Sequence, residues 1–322
     1  MLIAVRQFPY YNDCVTSGKF AVYREGDFDR MKLEGIMPAL VTPLKADETV
    51  NTEVLSRLIG YFLDKGANGF YVGGATGEGL ALKTEERMIL AEAATAAAGK
   101  RVPVIVQVAA ADYRDAIALA KHAERVGADA VSATPPVFFQ YDEDDVYNYY
   151  KGIADAVHIP LMIYYNPAAG FNMNAEFAAR MFEVDNITSI KWTSPRYDEV
   201  VRLKELTGGE MTVINGPDEM LLMGLSAGAD GGIGTTYNFM LEKYLRIYDC
   251  FKRGDIKTAQ AVQTEANRII AVLTKYKIIP AAKVLMEKMG FEVGDASFPM
   301  KRYTDEEKRR IVADFKAAGW EE

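Results

Sequence analysis

Short apolar runs recur along the chain, and each one is followed by a stretch with helical periodicity. An alternation of this kind predicts βα units and a parallel sheet. The intervening segments are amphipathic, for example residues 85–98 after a Thr84 cap and residues 113–126 after Asp112. Eight such units close a TIM (β/α)8 barrel, whose active site lies at the carboxyl ends of the strands. The predicted strands are residues 35–41, 69–74, 102–108, 130–134, 160–165, 187–192, 211–215 and 231–235.

Two segments lie outside this repeat. Residues 255–322 have helical periodicity with little strand signal, mainly at 256–276, 279–289 and 305–318, and they predict a C-terminal helical appendage. Residues 1–30 fit neither pattern, and the stretch that begins at Met31 resembles the usual start of a chain that leads into the first strand. We therefore expect an N-terminal extension of unknown role (1–30), a barrel (31–254) and a C-terminal helical region (255–322).

Length and composition indicate a large folded domain. A chain of 322 residues with 49% hydrophobic content can bury an extensive core. A net charge of -8 and a pI near 5.1 provide no basic stripe for a nucleic acid. No apolar run approaches the roughly 20 residues needed to span a bilayer, and the first residues lack a secretory signal. We expect neither a nucleic-acid partner nor a membrane partner.

Cysteine and histidine are scarce. Cys14 and Cys250 lie far apart without paired spacing, which suggests neither a disulfide framework nor a zinc site and is typical of the reducing cytoplasm. The sequence has two histidines, His122 and His158, which disfavours a Ser-His-Asp mechanism and a two-histidine metal site. Any chemistry must use other groups.

Lys191 lies at the end of the predicted strand 187–192, and the preceding strand carries Tyr164 and Tyr165. A desolvated lysine beside a phenol is an arrangement from which a protein forms a Schiff base with a carbonyl compound. The alternative is an ordinary lysine that extends its charged head out of a strand end. Because neighbouring strand residues point to opposite faces, one of the two tyrosines can face Lys191.

Other strand ends carry candidate binding residues. The turn 73–79 is rich in glycine, so its backbone N–H groups can approach a carboxylate closely, although βα geometry alone can also require such a turn. The loop 132–139 is apolar and typical of a pocket wall. Residues 215–219 and 231–238 supply carboxylates and hydroxyls suited to a polyhydroxylated substrate, but Asp218 can also be the N-cap of a helix over 220–226.

These motifs, in this order, resemble the pyruvate-dependent class I aldolases of the N-acetylneuraminate lyase and dihydrodipicolinate synthase superfamily. The resemblance runs from about residue 33 to the end and rests on Gly-Gly-x-Thr-Gly-Glu at 73–78, on Tyr164, on Lys191 and on the stretch 228–238. That stretch and residues 254–260 are most similar to the neuraminate lyases. The resemblance implies that Lys191 is the Schiff-base lysine and that Tyr164 is the family tyrosine.

The resemblance also implies a set of substrate contacts. Thr76 would hold the pyruvate carboxylate together with the neighbouring amides, including those of Gly74 and Ala75. The remaining expected substrate-binding residues are Thr193 and Tyr165 and, for the hydroxyls of a sugar, Gly216, Asp218, Glu219 and Thr235.

The chain departs from the family pattern at several positions. Ala75 replaces a hydroxyl residue and Phe138 replaces a relay tyrosine, so both partners of the expected proton relay are missing. Tyr165 takes the place of an asparagine, and the loop after Tyr164 is about one residue shorter than in the neuraminate lyases. Residues 168–170 lack the arginine that dihydrodipicolinate synthases use for the semialdehyde carboxylate, which disfavours lysine biosynthesis.

We expect a Schiff-base-forming lyase that cleaves or forms a carbon–carbon bond between pyruvate and an aldehyde. The expected substrate is an N-acetylneuraminate-like 2-keto-3-deoxy sugar acid, and no metal or organic cofactor is needed. The resemblance implies a homotetramer, and cysteine usage a cytoplasmic protein. Four alternatives stay open: a hydratase-aldolase for aromatic pyruvate adducts, suggested by Tyr-x-Asn-Pro at 164–167; a sugar-acid dehydratase; a dihydrodipicolinate synthase-like enzyme; and a sensor that binds a keto acid without catalysis.

Overall fold

Parallel strands form a barrel in the computed structural model, which describes residues 33 to 321. Neighbouring strands pair in the order β1-β8-β7-β6-β5-β4-β3-β2, and a bridge between Ala39 and Tyr71 joins β1 to β2. All eight predicted strands are confirmed, and most are shorter than the apolar runs that predicted them. They are β1 (Gly35–Pro38), β2 (Phe70–Val72), β3 (Val104–Gln107), β4 (Ala130–Ala133), β5 (Leu161–Tyr165), β6 (Ile187–Trp192), β7 (Thr212–Asn215) and β8 (Gly231–Gly234).

A helix follows each strand, and three further helices come after the last βα unit of the described chain. The helices are α1 (Thr52–Asp64), α2 (Thr84–Ala98), α3 (Tyr113–Arg125), α4 (Glu143–Asp155), α5 (Ala175–Phe182), α6 (Tyr197–Leu206), α7 (Leu221–Ser226), α8 (Tyr237–Lys252), α9 (Ile256–Leu273), α10 (Ile278–Lys288) and α11 (Asp305–Ala317). Single turns of 3-10 helix follow β2, β5 and β7, at Gly79–Ala81, Pro167–Ala169 and Asp218–Met220. The predicted TIM barrel with a C-terminal helical part is confirmed. The predicted extension, residues 1–30, lies outside the described residues.

The helix starts confirm one predicted cap and correct another. The Asp112 side chain accepts a hydrogen bond from the Arg114 N–H at 2.8 Å, so it caps α3 as predicted. The predicted Thr84 cap is wrong, because α2 already includes Thr84 and its N-cap is Lys83, which makes no capping side-chain bond. Acidic residues in the first turn of α2 favour this start through the helix dipole instead.

The core has two layers. Side chains that point into the barrel form one cluster, and the strands bury their other face against the surrounding helices in a second, larger cluster. Since side chains alternate along a strand, Tyr164 belongs to the interior cluster and Tyr165 to the outer layer. The barrel interior is thus filled by side chains, and space for a ligand remains at the carboxyl ends of the strands.

The C-terminal helices pack on the barrel within one compact unit that begins at Leu33. The Phe315 ring of α11 contacts the Phe239 ring at a centroid distance of 5.9 Å, and the Trp320 indole N–H donates to the Phe239 carbonyl at 2.8 Å. The connection between α10 and α11 reaches the loop after β1, where the Leu44 N–H donates to the Val293 carbonyl at 3.0 Å. C-terminal residues therefore lie beside the carboxyl ends of the first strands.

Candidate active site

Lys191 lies next to the last residue of β6, and its side chain is 95% buried, with only 5% exposed. Its Nζ atom lies 4.2 Å from the centroid of the Tyr164 ring and 5.1 Å from that of the Tyr71 ring. Lys204 and Lys283 each pair with a carboxylate at 2.7 Å. Lys191, by contrast, forms no ion pair with any residue from 33 to 321. Its amine is held between two aromatic faces, which attract a cation.

The register of the sheet selects which tyrosine faces the lysine. β5 pairs with β6 so that Tyr164 lies opposite Lys191 and Tyr165 lies opposite Trp192. The Tyr165 ring packs on the Trp192 ring at a centroid distance of 4.6 Å in the outer layer. Tyr164 is therefore the partner of Lys191, and the position of Tyr165 does not favour the substrate contact predicted for it.

Tyr71 is a member of the site that the sequence patterns did not indicate. Its ring meets the Tyr164 ring edge to face at 6.0 Å, and its hydroxyl donates to the Ser132 Oγ at 3.1 Å. Complete burial raises the pKa of Tyr71 above its usual range, so its phenol stays protonated. The alternation of β2 contained the signal, because Tyr71 has the opposite facing from Phe70 and Val72 and must enter the barrel.

The glycine-rich turn after β2 is closely packed and fixed to the neighbouring loops. A Cβ atom on Gly74 would lie 2.4 Å from the Tyr71 ring, so this position requires glycine. The Thr76 hydroxyl is buried and lies 2.6 Å from the Thr235 hydroxyl, which joins the β2 loop to the β8 loop. Ala75, which lies between Gly74 and Thr76 in the sequence, is exposed. The structure thus brings the predicted residues Gly74, Thr76 and Thr235 together.

A cavity of about 200 Å³ lies beside Tyr164. The Oγ1 atom of Thr134 in its wall is buried and has no hydrogen-bond partner. Gln107, also in the wall, is held by Arg87, whose guanidinium donates to the Gln107 Oε1 at 2.7 Å. Thr134 belongs to the loop 132–139 that the sequence predicted as a pocket wall, whereas the sequence patterns did not single out Gln107 at the end of β3. The lining residues are Gly73, Gly74, Ala75, Glu78, Gly79, Leu80, Ala81, Gln107, Thr134 and Tyr164.

Asp218 has a different role from the helix cap considered above. Its Oδ2 atom accepts hydrogen bonds from the N–H and the hydroxyl of Thr236, both at 2.7 Å, and so fixes the start of α8. The N-cap prediction is wrong because α7 begins only at Leu221, after a turn of 3-10 helix that contains Asp218. Burial raises the pKa of the Asp218 carboxyl to about 6, while the Thr236 hydrogen bonds and the charge of Lys191 oppose this shift.

Of the remaining predicted substrate contacts, Gly216 and Thr193 pack against each other, and Glu219 is exposed. Gly216 packs against Thr193, since a Cβ atom on Gly216 would lie 2.0 Å from the Thr193 Oγ1. That Oγ1 atom is buried without a hydrogen-bond partner. Glu219 is exposed at the end of β7. Phe138 is exposed over 92% of its surface and has a left-handed backbone at φ +85°.

The two histidines lie outside this region. His122, on α3, contacts Glu92 at 2.9 Å, and His158, in the connection between α4 and β5, contacts Glu124 at 3.3 Å. Across residues 33 to 321, no three histidine, cysteine, aspartate or glutamate side chains cluster in a way that could hold a metal ion. None of the helices in the described part of the chain has the length and apolar character needed to cross a membrane.

Comparison with known proteins gives consistent matches over the barrel. The N-acetylneuraminate lyase of Rhizobium meliloti (strain 1021) is 35% identical over 272 residues, which are 84% of this chain and 91% of that protein. The N-acetylneuraminate lyase of Clostridium perfringens (strain ATCC 13124) is 32% identical over 276 residues, which are 85% of this chain and 96% of that protein.

Solved structures give the same picture. Proteus mirabilis N-acetylneuraminate lyase has a TM-score of 0.86 at 31% identity, covering 90% of this chain and 100% of its own. The Clostridium difficile protein CdNal, crystallised in complex with mannosamine, has a TM-score of 0.86 at 30% identity, covering 89% of this chain and 100% of its own. The sequence model of the Dihydrodipicolinate synthetase family matches residues 32–318. Because that match spans every strand and the C-terminal helices, this chain belongs to the Dihydrodipicolinate synthetase family.

Proposed function

We propose that this protein is a Schiff-base-forming lyase that cleaves or forms a carbon–carbon bond between pyruvate and an aldehyde. The observation that carries the proposal is the Lys191 amine, which is buried at a strand end against two aromatic rings and is not engaged by a carboxylate ion pair with a described residue. A buried structural lysine normally has its charge paired, as Lys283 on α10 does with Glu78. This carbon–carbon lyase is of the class I aldolase type.

The bond-breaking step follows from this arrangement. The Lys191 amine attacks the C2 carbonyl of a 2-keto acid, water leaves, and an iminium forms. The bond between C3 and C4 then breaks, and its electron pair moves into the iminium to give an enamine. Tyr164 gives its proton to the hydroxyl that leaves as water when the iminium forms, and the resulting phenolate takes the proton of the C4 hydroxyl as the aldehyde departs. Protonation of the enamine at C3 and hydrolysis release pyruvate and restore the lysine.

The surroundings supply what each step needs. The ring faces of Tyr164 and Tyr71 stabilise the positive charge of the iminium. The Thr76 hydroxyl and the backbone N–H groups of the turn at Gly74 and Ala75 are suited to the pyruvate carboxylate. The lysine amine and the phenol together carry the reaction, so it needs neither a metal nor an organic cofactor.

The substrate we propose is an N-acetylneuraminate-like 2-keto-3-deoxy sugar acid. Relatives named N-acetylneuraminate lyase are 32–35% identical to this chain, and the Clostridium difficile neighbour was crystallised with mannosamine. Asp218, Glu219 and Thr235 lie at the ends of β7 and β8, on the side of the barrel that would meet the sugar hydroxyls. Asp218 uses Oδ2 for Thr236, which leaves Oδ1 for a substrate hydroxyl.

A second candidate is a hydratase-aldolase for aromatic pyruvate adducts. The cavity beside Tyr164 has an apolar wall formed by Ala75, Leu80 and Ala81. An aromatic ring fits such a wall, whereas a polyol would leave its hydroxyls without partners there. The Tyr-x-Asn-Pro sequence of residues 164–167 favours the same candidate.

The proposal is tested first by trapping. Pyruvate with sodium borohydride should add one reduced three-carbon unit to Lys191, because hydride reduces the imine irreversibly. The adduct should be absent in Lys191→Ala and in Lys191→Arg, since a guanidinium stays protonated and cannot attack a carbonyl. Mass spectrometry of the digested protein locates the adduct. Labelling that persists in Lys191→Ala would remove the lysine from the mechanism. Imine trapping without any release of pyruvate from keto acids would instead indicate a sensor.

The substrate class is tested with a panel of sugar acids and benzylidenepyruvate. We expect pyruvate release from a 2-keto-3-deoxy sugar acid, and we expect Asp218→Asn to raise KM for that acid without changing imine formation from pyruvate. The asparagine keeps an acceptor oxygen for Thr236, so the variant changes mainly the charge. A kcat/KM for benzylidenepyruvate at least about tenfold above every sugar acid would establish the hydratase-aldolase candidate instead.

The family resemblance also leads us to propose a homotetramer, and the cysteine usage leads us to propose a cytoplasmic protein. Sedimentation equilibrium of the purified full chain gives the assembly mass. A single species at the monomer mass would contradict the tetramer.

A further inference from the structure

The glycine-rich turn ends in a fully buried glutamate, Glu78, which the proposed reaction does not use. Its Oε2 atom accepts hydrogen bonds from the Ser297 N–H at 2.6 Å and from the Ser297 hydroxyl at 2.7 Å. Its Oε1 atom lies 2.7 Å from the Lys283 Nζ, and neither side chain of this ion pair is more than 2% exposed. Glu78, Lys283 and Ser297 are called the Glu78 cluster below.

The Glu78 cluster joins two distant parts of the chain. Lys283 belongs to α10, and Ser297 belongs to the connection between α10 and α11. Lys283 also donates to the Asp295 carbonyl at 2.9 Å, so one ammonium group fixes both this connection and the glutamate. The C-terminal region is therefore attached directly to the turn that we propose as the carboxylate-binding loop.

The backbone of the loop depends on this attachment. Glu78 has a left-handed conformation at φ +57°, which is unfavourable for a residue with a side chain. Its N–H donates to the Ala75 carbonyl at 3.1 Å and closes the turn that contains Ala75 and Thr76. Buried contacts to the Glu78 side chain hold this turn in the conformation that presents its N–H groups.

Charge gives the cluster a second effect. An unpaired glutamate two positions after Thr76 would repel the carboxylate of a keto acid bound by the same turn. Lys283 cancels that charge at 2.7 Å. Burial lowers the pKa of Lys283, and the Glu78 carboxylate opposes this shift, so each charge of the pair supports the other.

We propose that Lys283 is a positioning residue for keto-acid binding: it neutralises Glu78 and, through Glu78, fixes the loop that receives the substrate carboxylate. This inference rests on the proposed function, because it assumes that the loop binds the carboxylate of pyruvate. It adds a residue from the C-terminal helices that does not touch the substrate.

The test uses borohydride trapping of pyruvate on Lys191 in the full-length protein, with the pyruvate concentration varied. In Lys283→Met the half-saturating pyruvate concentration should rise about tenfold, because the loop shifts and an uncompensated charge remains next to it. In the double variant Glu78→Gln/Lys283→Met it should return to within about threefold of the wild type, because no unpaired charge is left. Ser297→Ala, which keeps both charges, should raise it by about twofold to threefold.

Lys204→Met is the matched control. Lys204 also pairs with a carboxylate at 2.7 Å, that of Asp230, and also donates to a backbone carbonyl at 2.9 Å, that of Met211. Asp230 likewise accepts a backbone N–H, from Val213. This pair lies at the amino ends of β7 and β8, opposite the site. Its loss should lower the melting temperature and leave the half-saturating pyruvate concentration unchanged.

Three results would overturn the inference. The first is an unchanged half-saturating pyruvate concentration in Lys283→Met or, if that variant does not fold, in Ser297→Ala. The second is an equal rise of this concentration in Lys204→Met, and the third is a double variant whose half-saturating concentration is as high as that of Lys283→Met. The proposed function fails separately, if the wild-type protein itself traps no pyruvate on Lys191, and the inference then fails with it.

Discussion

At the scale of single residues, the site depends on the facing of each side chain along its strand. Tyr164 and Tyr165 are adjacent in sequence but lie in different layers of the core. Of these two, Tyr164 places its ring against the Lys191 amine, while Tyr165 packs on Trp192. The chemistry of a phenol is therefore available to the site at one of these two positions.

Tyr164→Phe should lower kcat for carbon–carbon cleavage by about 10²–10⁴-fold, the range typical of a lost general acid or base. The half-saturating pyruvate concentration for imine trapping should change much less, because the ring that faces Lys191 is retained. Tyr165→Phe is the control and should leave kcat within about threefold of the wild type. Steady-state kinetics and trapping on the same preparations separate the two effects. A larger loss of kcat in Tyr165→Phe than in Tyr164→Phe would show that Tyr165, and not Tyr164, transfers the proton.

At the scale of elements, one buried arginine connects a helix to the strand ends that form the cavity wall. Arg87 lies on α2 and donates to the Ala109 carbonyl and to the Gln107 carbonyl, both at 2.8 Å, and to the Gln107 side chain at 2.7 Å. Burial lowers the pKa of Arg87 to about 10, still far above neutrality, so the guanidinium remains charged. This one side chain links α2 to the carboxyl end of β3.

Arg87→Met should lower the free energy of unfolding by about 2–3 kcal/mol, since three buried acceptors lose a charged donor. Arg87→Lys should recover only part of it, because an ammonium cannot reproduce the planar fork. The control is Arg101→Met, because Arg101 donates to the Ala97 and Ala98 carbonyls on the protein surface. That change should cost less than about 1 kcal/mol. Equal losses for the two methionine variants, measured by denaturant unfolding, would show that Arg87 has no special structural role.

At the scale of the whole molecule, the barrel and the C-terminal helices form one unit that begins at Leu33. The first strand starts at Gly35 and pairs with β8, and Leu33 already belongs to the cluster inside the barrel. The C-terminal region supplies Lys283 and Ser297 to the β2 loop. The barrel and the helices after it therefore pack as one unit, and we expect the proposed activity to require both.

Deletion of residues 1–30 should preserve folding and activity, because β1 and its pairing partners all lie after this segment. The melting temperature should fall by no more than about 5 °C, which corresponds to about 1–2 kcal/mol in a chain of this size. Calorimetry and kinetics of the full-length and shortened proteins make the comparison. A larger decrease would show that the segment contributes to the stability of the barrel.

Much of the fold was predictable because its signals are local. The strand period of two residues and the helix period of 3.6 residues can be read from residues close together in sequence. Eight repeats of a βα unit are compatible with few architectures other than a TIM barrel. The position of Lys191 followed from the same rule, since the carboxyl ends of parallel strands converge at one end of a barrel. The rule left Tyr164 and Tyr165 open, and the prediction of Tyr164 came from the family resemblance. The facing of Tyr71 followed from alternation as well, although the sequence patterns singled out no function for it.

Contacts between distant residues were decided only by the tertiary structure. Asp218 bonds to Thr236, 18 positions away, instead of capping its own helix. Glu78 bonds to Ser297, 219 positions away, and pairs with Lys283 on α10. No local pattern encodes these partners, because a buried charge selects whichever complementary group the packing brings to it. The sequence by itself predicted the barrel and the position of Lys191 at the carboxyl end of β6. The tertiary structure decided which polar groups surround that lysine and which ones hold its loops in place.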